Sequence, residues 1–263
     1  MLVFITSIRH PLNCYSFDRV LRLLDITLNS IFSQKDSNFE VVIVSNQGSI
    51  SDLKYRVHNV EVDFPPPSLE ESPKTGMSAI QIDRGSKYAI GLKYAEKLNP
   101  SHIIFFDADD LVDNRLSGLV KTNPDSNGWY FDEGYSYRLG SKKLNSVSDF
   151  YKHCGTSYII NYDEFENTKM LNLTNSQEEI IDLVGLNYVK VELGSHRLRK
   201  RWSEKRGRSL SPLPFPGAVW VLGHGENHSG RAGDEGTLPI TEELKNQFAF
   251  PDDVIVEQIV NES

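Results

Sequence analysis

Four apolar runs constrain this chain more than anything else in it. They are Leu2–Ile8 ("LVFITSI"), 39–46 ("FEVVIVSN"), the shorter 59–64 ("NVEVDF") and 102–106 ("HIIFF"). A strand with one wet face alternates apolar and polar residues. Near-continuous apolar runs instead suit strands buried on both faces, as in a parallel sheet covered by helices. Residues 17–32 separate the first two runs, with Val20, Leu23, Leu24, Thr27, Leu28 and Ile31 at helical spacing and Ser16 placed to cap them. A second helix is predicted over 83–98, with Ala89, Ile90, Leu92 and Ala95 inward. The order strand–helix–strand–strand–helix–strand predicts an α/β fold with a mostly parallel central sheet flanked by helices. "PPPSLEESPKTG", 65–76, reads as a stiff polar loop.

The second half is less regular. A hairpin is expected in "GWYFDEGYSYRL", a strand over Ser157–Asn161, and an amphipathic helix starting at Ser176. Three alternating prolines in "SLSPLPFPG" predict an extended loop, and "AVWVLGHGENHSGR" a strand breaking into a glycine-rich loop. The 263 residues suit one domain with a sizeable core. The expected division is 1–110 as a ligand-binding half, 111–250 as a second half containing a flexible basic loop at 196–217, and 251–263 as a peripheral tail.

A net charge of −8 argues against a general nucleic-acid binder. It conceals a contrast. Residues 197–208 hold seven Lys or Arg and one acid, leaving 21 basic and 35 acidic residues elsewhere. Two cysteines are too few for a disulfide framework and point to a reducing compartment. No apolar run is long enough to span a bilayer, and Leu2–Ile8 is too short for a signal peptide. The expectation is a cytoplasmic protein, with Arg197–Arg208 available for peripheral membrane contact.

The fourth apolar run ends in "DADD". Ligands of open α/β sheets bind beyond the carboxyl ends of the strands. Residues two apart in extended chain point the same way, so Asp107 and Asp109 can converge. Two such carboxylates repel each other unless a hard cation sits between them. Mg²⁺ or Mn²⁺ takes one or two carboxylates together with substrate phosphates. Asp110 is read as the cap of a short helix over 111–120.

"DRGSKYAIGLKYAEKLNPSHIIFFDADDLVDNRL" resembles the central stretch of GT-A fold glycosyltransferases of the inverting, D-x-D-containing, family-2-like group. "LVFITSIRHP", "FEVVIVSNQGS", "HCGTSYIIN" and "VWVLGHGENHS" extend the resemblance over most of residues 2–230. It implies transfer of a sugar from a nucleotide diphosphate sugar, a UDP-sugar as first guess, with Mn²⁺ or Mg²⁺. The acceptor would be a glycan or lipid-linked hydroxyl, in polysaccharide assembly. It also implies donor contacts for Thr6, Arg9, Asn46, Asp83, Arg84 and Asp107, and metal ligation by Asp107, Asp109 and His224. Asn46 stands where many relatives carry an acid. In inverting relatives an acid pair heads a helix beyond the acceptor-side strand, which places Glu178 and Glu179 as candidate catalytic bases. The same two acids would also serve the macrodipole and a capping box. Trp129, Tyr130 and Trp202 are candidates for stacking on sugar rings. Two rivals remain: a sugar-phosphate nucleotidyltransferase, for which the loop after the first strand lacks glycine, and an inactive sugar-binding or scaffold module.

Overall fold

The computed structural model describes residues 1–50, 55–68, 76–227 and 231–260. Part of the proline-led loop, 69–75, and His228 lie outside the described residues. The chain forms β1 (Leu2–Ser7), α1 (Phe17–Phe32), β2 (Phe39–Asn46), β3 (His58–Val62), α2 (Met77–Ala95) and β4 (His102–Phe105). β5 (Leu111–Val112), α3 (Leu116–Thr122), β6 (Gly128–Tyr130), β7 (Glu133–Arg138), β8 (Lys143–Ser148) and β9 (Tyr158–Asn161) follow. The chain continues through α4 (Gln177–Val184), a π-helical stretch Tyr188–Leu193, α5 (Arg199–Lys205), β10 (Ser211–Pro212), β11 (Ala218–Leu222), β12 (Leu238–Pro239), α6 (Glu242–Phe248) and α7 (Asp253–Val260).

A seven-stranded sheet carries the order β10-β6-β9-β4-β1-β2-β3. β1 pairs in parallel with β2 and β4, β2 with β3, and β10 with β6, while β9 is antiparallel to β4 and β6. The sheet is mostly parallel and flanked by helices. One of its faces packs with α2, burying Val3, Ile5, Val42, Ala89 and Ile90; the other packs with α1, burying Phe4, Leu24, Leu28 and Ile43. Burial on both faces is what the apolar runs demanded. Ser16 accepts from the Arg19 N–H and caps α1 as expected. No described helix is long and apolar enough to cross a membrane.

Several expectations are corrected. α2 begins at Met77, not at residue 83, so Asp83 and Arg84 lie inside it. "GWYFDEGYSYRL" is no hairpin: β6 joins the large sheet, whereas β7 pairs with β8 and β11 in a second, five-stranded sheet, β12-β8-β7-β11-β5. The segment 111–120 opens with β5, and α3 follows only from Leu116. The basic stretch contains α5 and β10. It is anchored by Leu210 and Leu213, which are buried, and by Arg199, which caps carbonyls at the end of the π-helical stretch, donating to Glu192 O (2.8 Å) and Leu193 O (3.2 Å). The tail is not merely peripheral either, since α7 buries Val256 and Ile259 against Leu23, Ile26 and Phe248.

Candidate functional site

β1 and β4 run side by side in parallel, so the chain leaves both at the same edge of the sheet. Ser7, Ile8 and Arg9 leave β1 there, and Asp107–Asp109 leave β4. Together with the first turns of α2 and residues 194–197 they line a cleft of about 290 Å³.

Asp107 and Asp109 both open into this cleft, each with 23% of its side chain exposed. The Arg84 guanidinium donates to Asp107. The Asp107 N–H donates to the Thr156 hydroxyl at 2.9 Å, which fixes the turn out of β4. Gly155 lies against it: a Cβ there would stand 2.4 Å from Asp107 Oδ2 and push that carboxyl aside. His224 Nε2 lies 3.0 Å from Asp109 Oδ2. The two carboxyls are driven apart electrostatically. Burial lifts Asp107 above the usual range, against the pull of Arg84 and with the Asp109 charge adding to it. Burial acts on Asp109 too, but His224, with Arg9 and Arg84 nearby, outweighs it and holds Asp109 below that range.

Asp110 does not cap a helix. It is 1% exposed and receives hydrogen bonds from Thr156 Oγ1 (2.6 Å), Cys154 Sγ (3.0 Å) and Val221 N (3.2 Å). Burial, then the charges of Asp109 and Asp107, pushes its carboxyl well above the ordinary value. The residue knits the acid loop to β11 and to the segment before β9. α3 begins without a side-chain cap.

His224 reaches Asp109 because Gly223 and Gly225 take φ of +79° and +83°, a left-handed backbone that glycine adopts freely. Glu226, two residues on, anchors that loop. It is 1% exposed and accepts from Ser16 N (2.9 Å), Tyr15 N (3.1 Å) and Arg9 Nη1 (3.2 Å), while Arg9 Nη2 also donates to its carbonyl (2.6 Å). A buried carboxylate thus meets the orphan N–H groups at the start of α1 and two arginines, the second being Arg19 at 4.0 Å. The sequence displays this glutamate in "GHGENHSG" but gives no sign of partners some 210 positions away.

Other expected residues fall differently. Thr6 is fully buried and donates to Phe106 O at 2.8 Å, behind the cleft wall. Asn46 is buried, donates to Phe64 O at 2.9 Å and does not line the cleft. Asp83 does line it; one oxygen pairs with the fully buried Lys87 at 2.9 Å, and the other, Oδ1, has no hydrogen-bond partner. Lys87 also donates to Ile8 O at 2.8 Å, tying α2 to the end of β1. Glu178 and Glu179 are exposed on α4 and do not line the cleft. Glu179 closes a capping box with Ser176, accepting from its N–H at 2.9 Å. Trp129 is core, its ring tilted 35° against His102, and Trp202 lies under Lys205 and Arg206. The cleft holds Trp220 instead, parallel to His153 with ring centroids 6.5 Å apart. His196 also faces the cleft, with its Nε2 buried and unpartnered; burial, then Arg84, lowers its pKa to about 3.

Among the described residues no three His, Cys, Asp or Glu side chains converge as a preformed metal cage. Asp107 and Asp109 supply the kind of oxygen donors that a hard cation takes. His224 Nδ1 accepts from the Glu226 N–H at 3.3 Å, and its Nε2, 3.0 Å from Asp109 Oδ2, is buried without a hydrogen-bond partner of its own.

No family model and no curated protein matches the chain. Among solved structures it is similar to the apo form of the glycosyltransferase GlyE from Streptococcus pneumoniae TIGR4, at 9% identity and a TM-score of 0.37 over 99% of this chain and 63% of that one. A second structure of GlyE gives 10% identity and a TM-score of 0.36 over 98% of this chain. The chain spans 63% of the length of each of these structures. Similarity at this level says nothing about chemistry.

Proposed function

We propose that this chain is a GT-A-type glycosyltransferase that moves a sugar from a nucleotide diphosphate sugar to a hydroxyl acceptor. One observation carries the reading: Asp107 and Asp109 share a cleft with Arg9, Arg84 and Arg197 at the carboxyl edge of parallel strands. Carboxylates alone would suit a cation and arginines alone an anion. A cleft that offers both suits a cation bound together with a phosphate-bearing ligand. Arg84 and Arg197 provide forked donors for phosphate oxygens. Asp107 and Asp109 would hold Mn²⁺ or Mg²⁺, which supplies neutralisation of the leaving diphosphate. Asp110, Thr156 and Gly155 keep those carboxylates in place, and Glu226 keeps Arg9 and His224 there.

Glu178 and Glu179 do not line the cleft, so this reading does not assign the acceptor-activating base to either. The acids lining the cleft are Asp83, Asp107, Asp109 and Glu226, and each is already engaged by a basic side chain. A retaining course needs no separate base and fits this placement better than inversion.

Thermal denaturation with a panel of nucleoside diphosphates, with and without Mn²⁺, tests the reading on the wild type and Asp109→Ala. The expected result is stabilisation by one nucleotide that depends on the metal and disappears in the variant, because a ligand bound only to the native state raises its stability. A folded wild type unmoved by every nucleotide would refute the donor site.

A further inference from the structure

The basic stretch is the one sequence feature that the cleft does not absorb, and the structure sorts its charges. Arg199 is buried, capping carbonyls and lying 4.7 Å from the Phe105 ring centroid. Arg206 pairs with Glu192. Arg197, Arg201 and Lys205 are exposed and form no ion pair among the described residues; Arg208 is half-buried, with the Glu164 carboxyl within reach of its charge. Arg197 lines the cleft. The Arg199 N–H donates to His196 O (3.2 Å), closing a turn that leads into α5 through the non-helical Leu198. Arg201 and Lys205 are four apart on one face of α5, and Arg197 stands in the turn before it. They form a stripe whose first member stands in the cleft.

We infer that Arg197, Arg201, Lys205 and Arg208 form a track that binds the acceptor, and that this acceptor is a soluble anionic chain bearing phosphate or carboxylate groups. This rests on the glycosyltransferase reading of the cleft. The form of the patch and its neighbours select the occupant. A narrow stripe running out of a cleft follows an extended polymer, whereas a bilayer needs a flat basic face. α4 packs on the π-helical stretch that Arg199 and Arg206 contact, and exposes Glu178, Glu179 and Asp182. With net −14 outside the stretch, the track is also the place where a polyanion escapes the charge of the body.

The test is fluorescence anisotropy with labelled medium-chain inorganic polyphosphate, on the wild type and the double variant Arg201→Glu/Lys205→Glu. Neither residue lines the cleft. Circular dichroism and melting temperature verify that the variant is folded. The wild type should bind with an affinity that falls as salt rises, and the variant should bind about tenfold more weakly or less. Its stabilisation by nucleoside diphosphate and Mn²⁺ should be unchanged. Equal binding by both proteins, or none by the wild type, would overturn the track. Co-sedimentation with phosphatidylglycerol-containing vesicles in the absence of polyphosphate binding would overturn it in favour of a membrane surface. Polyphosphate binding that depends on the track, in a protein no nucleotide stabilises, would leave the anion site standing and remove the donor reading.

Discussion

Replacing His196 with Gln should change how the protein responds to acid far more than how stable it is at neutral pH. The His196 ring lies beside Arg84, Arg197 and Arg199, and its pKa falls to about 3, by burial first and then by Arg84. An unfolded histidine titrates near 6.5. Below that pH the unfolded chain gains a proton that the folded chain refuses. The contribution is therefore fully present above pH 6.5 and is lost as pH falls. At pH 5 the unfolded state gains about 2 kcal/mol from this one site, and at pH 7 almost nothing. Urea unfolding of wild type and His196→Gln at pH 7, 6 and 5 isolates the term, because every other titrating group is common to both proteins. The difference in unfolding free energy should shift by about 2 kcal/mol in favour of the variant between pH 7 and pH 5. Parallel curves would mean that His196 takes up a proton in the folded protein, and the described packing of three arginines around a buried neutral ring would be wrong.

Three further substitutions probe the site. Glu226→Gln removes the charge that Arg9, Arg19 and the start of α1 share; it should cost about 3 kcal/mol and lower the melting temperature by roughly 6–12 °C, read by calorimetry. Gly155→Ala drives a Cβ against Asp107 Oδ2; a folded variant should lose at least tenfold in metal-dependent nucleotide affinity by titration calorimetry, and undiminished affinity would remove Asp107 from the site. Glu179→Gln opens the capping box of α4; it should cost about 1 kcal/mol and leave the rate of sugar transfer unchanged, whereas a loss of a hundredfold or more would restore Glu179 as the base.

Local signals in the chain proved sufficient where local physics decides. The apolar runs that became β1, β2, β3 and β4, the Ser16 cap and the Ser176 capping box were all visible, because each depends on neighbours a few residues away. The start of α2 was hidden. Gly76 provides no side-chain cap, and the helix is buried at every position from Gly85 to Leu92, so that stretch has no wet face to set a period. Gly85 itself reports close packing, since a Cβ there would meet Val189 O at 1.9 Å. Asp107 and Asp109 were legible as a pair, because strand geometry alone makes them neighbours. Asp110 was not, since its partners Thr156 and Val221 come from the segment before β9 and from β11. Glu226 is the extreme case, a buried carboxylate whose donors sit at the opposite end of the sequence. The resemblance put Thr6 and Asn46 beside a ligand; Thr6 Oγ1 instead donates to Phe106 O and Asn46 Nδ2 to Phe64 O, and neither residue lines the cleft.

The most direct test of the central claim is release of nucleoside diphosphate from a panel of nucleotide diphosphate sugars, measured with and without Mn²⁺ for wild type and Asp109→Asn. Release from one donor, dependent on the metal and reduced a hundredfold or more in the variant, is the predicted result. Release from none of the donors by a folded wild type, or release at the same rate from the variant, would contradict a sugar-transfer site built on Asp107 and Asp109.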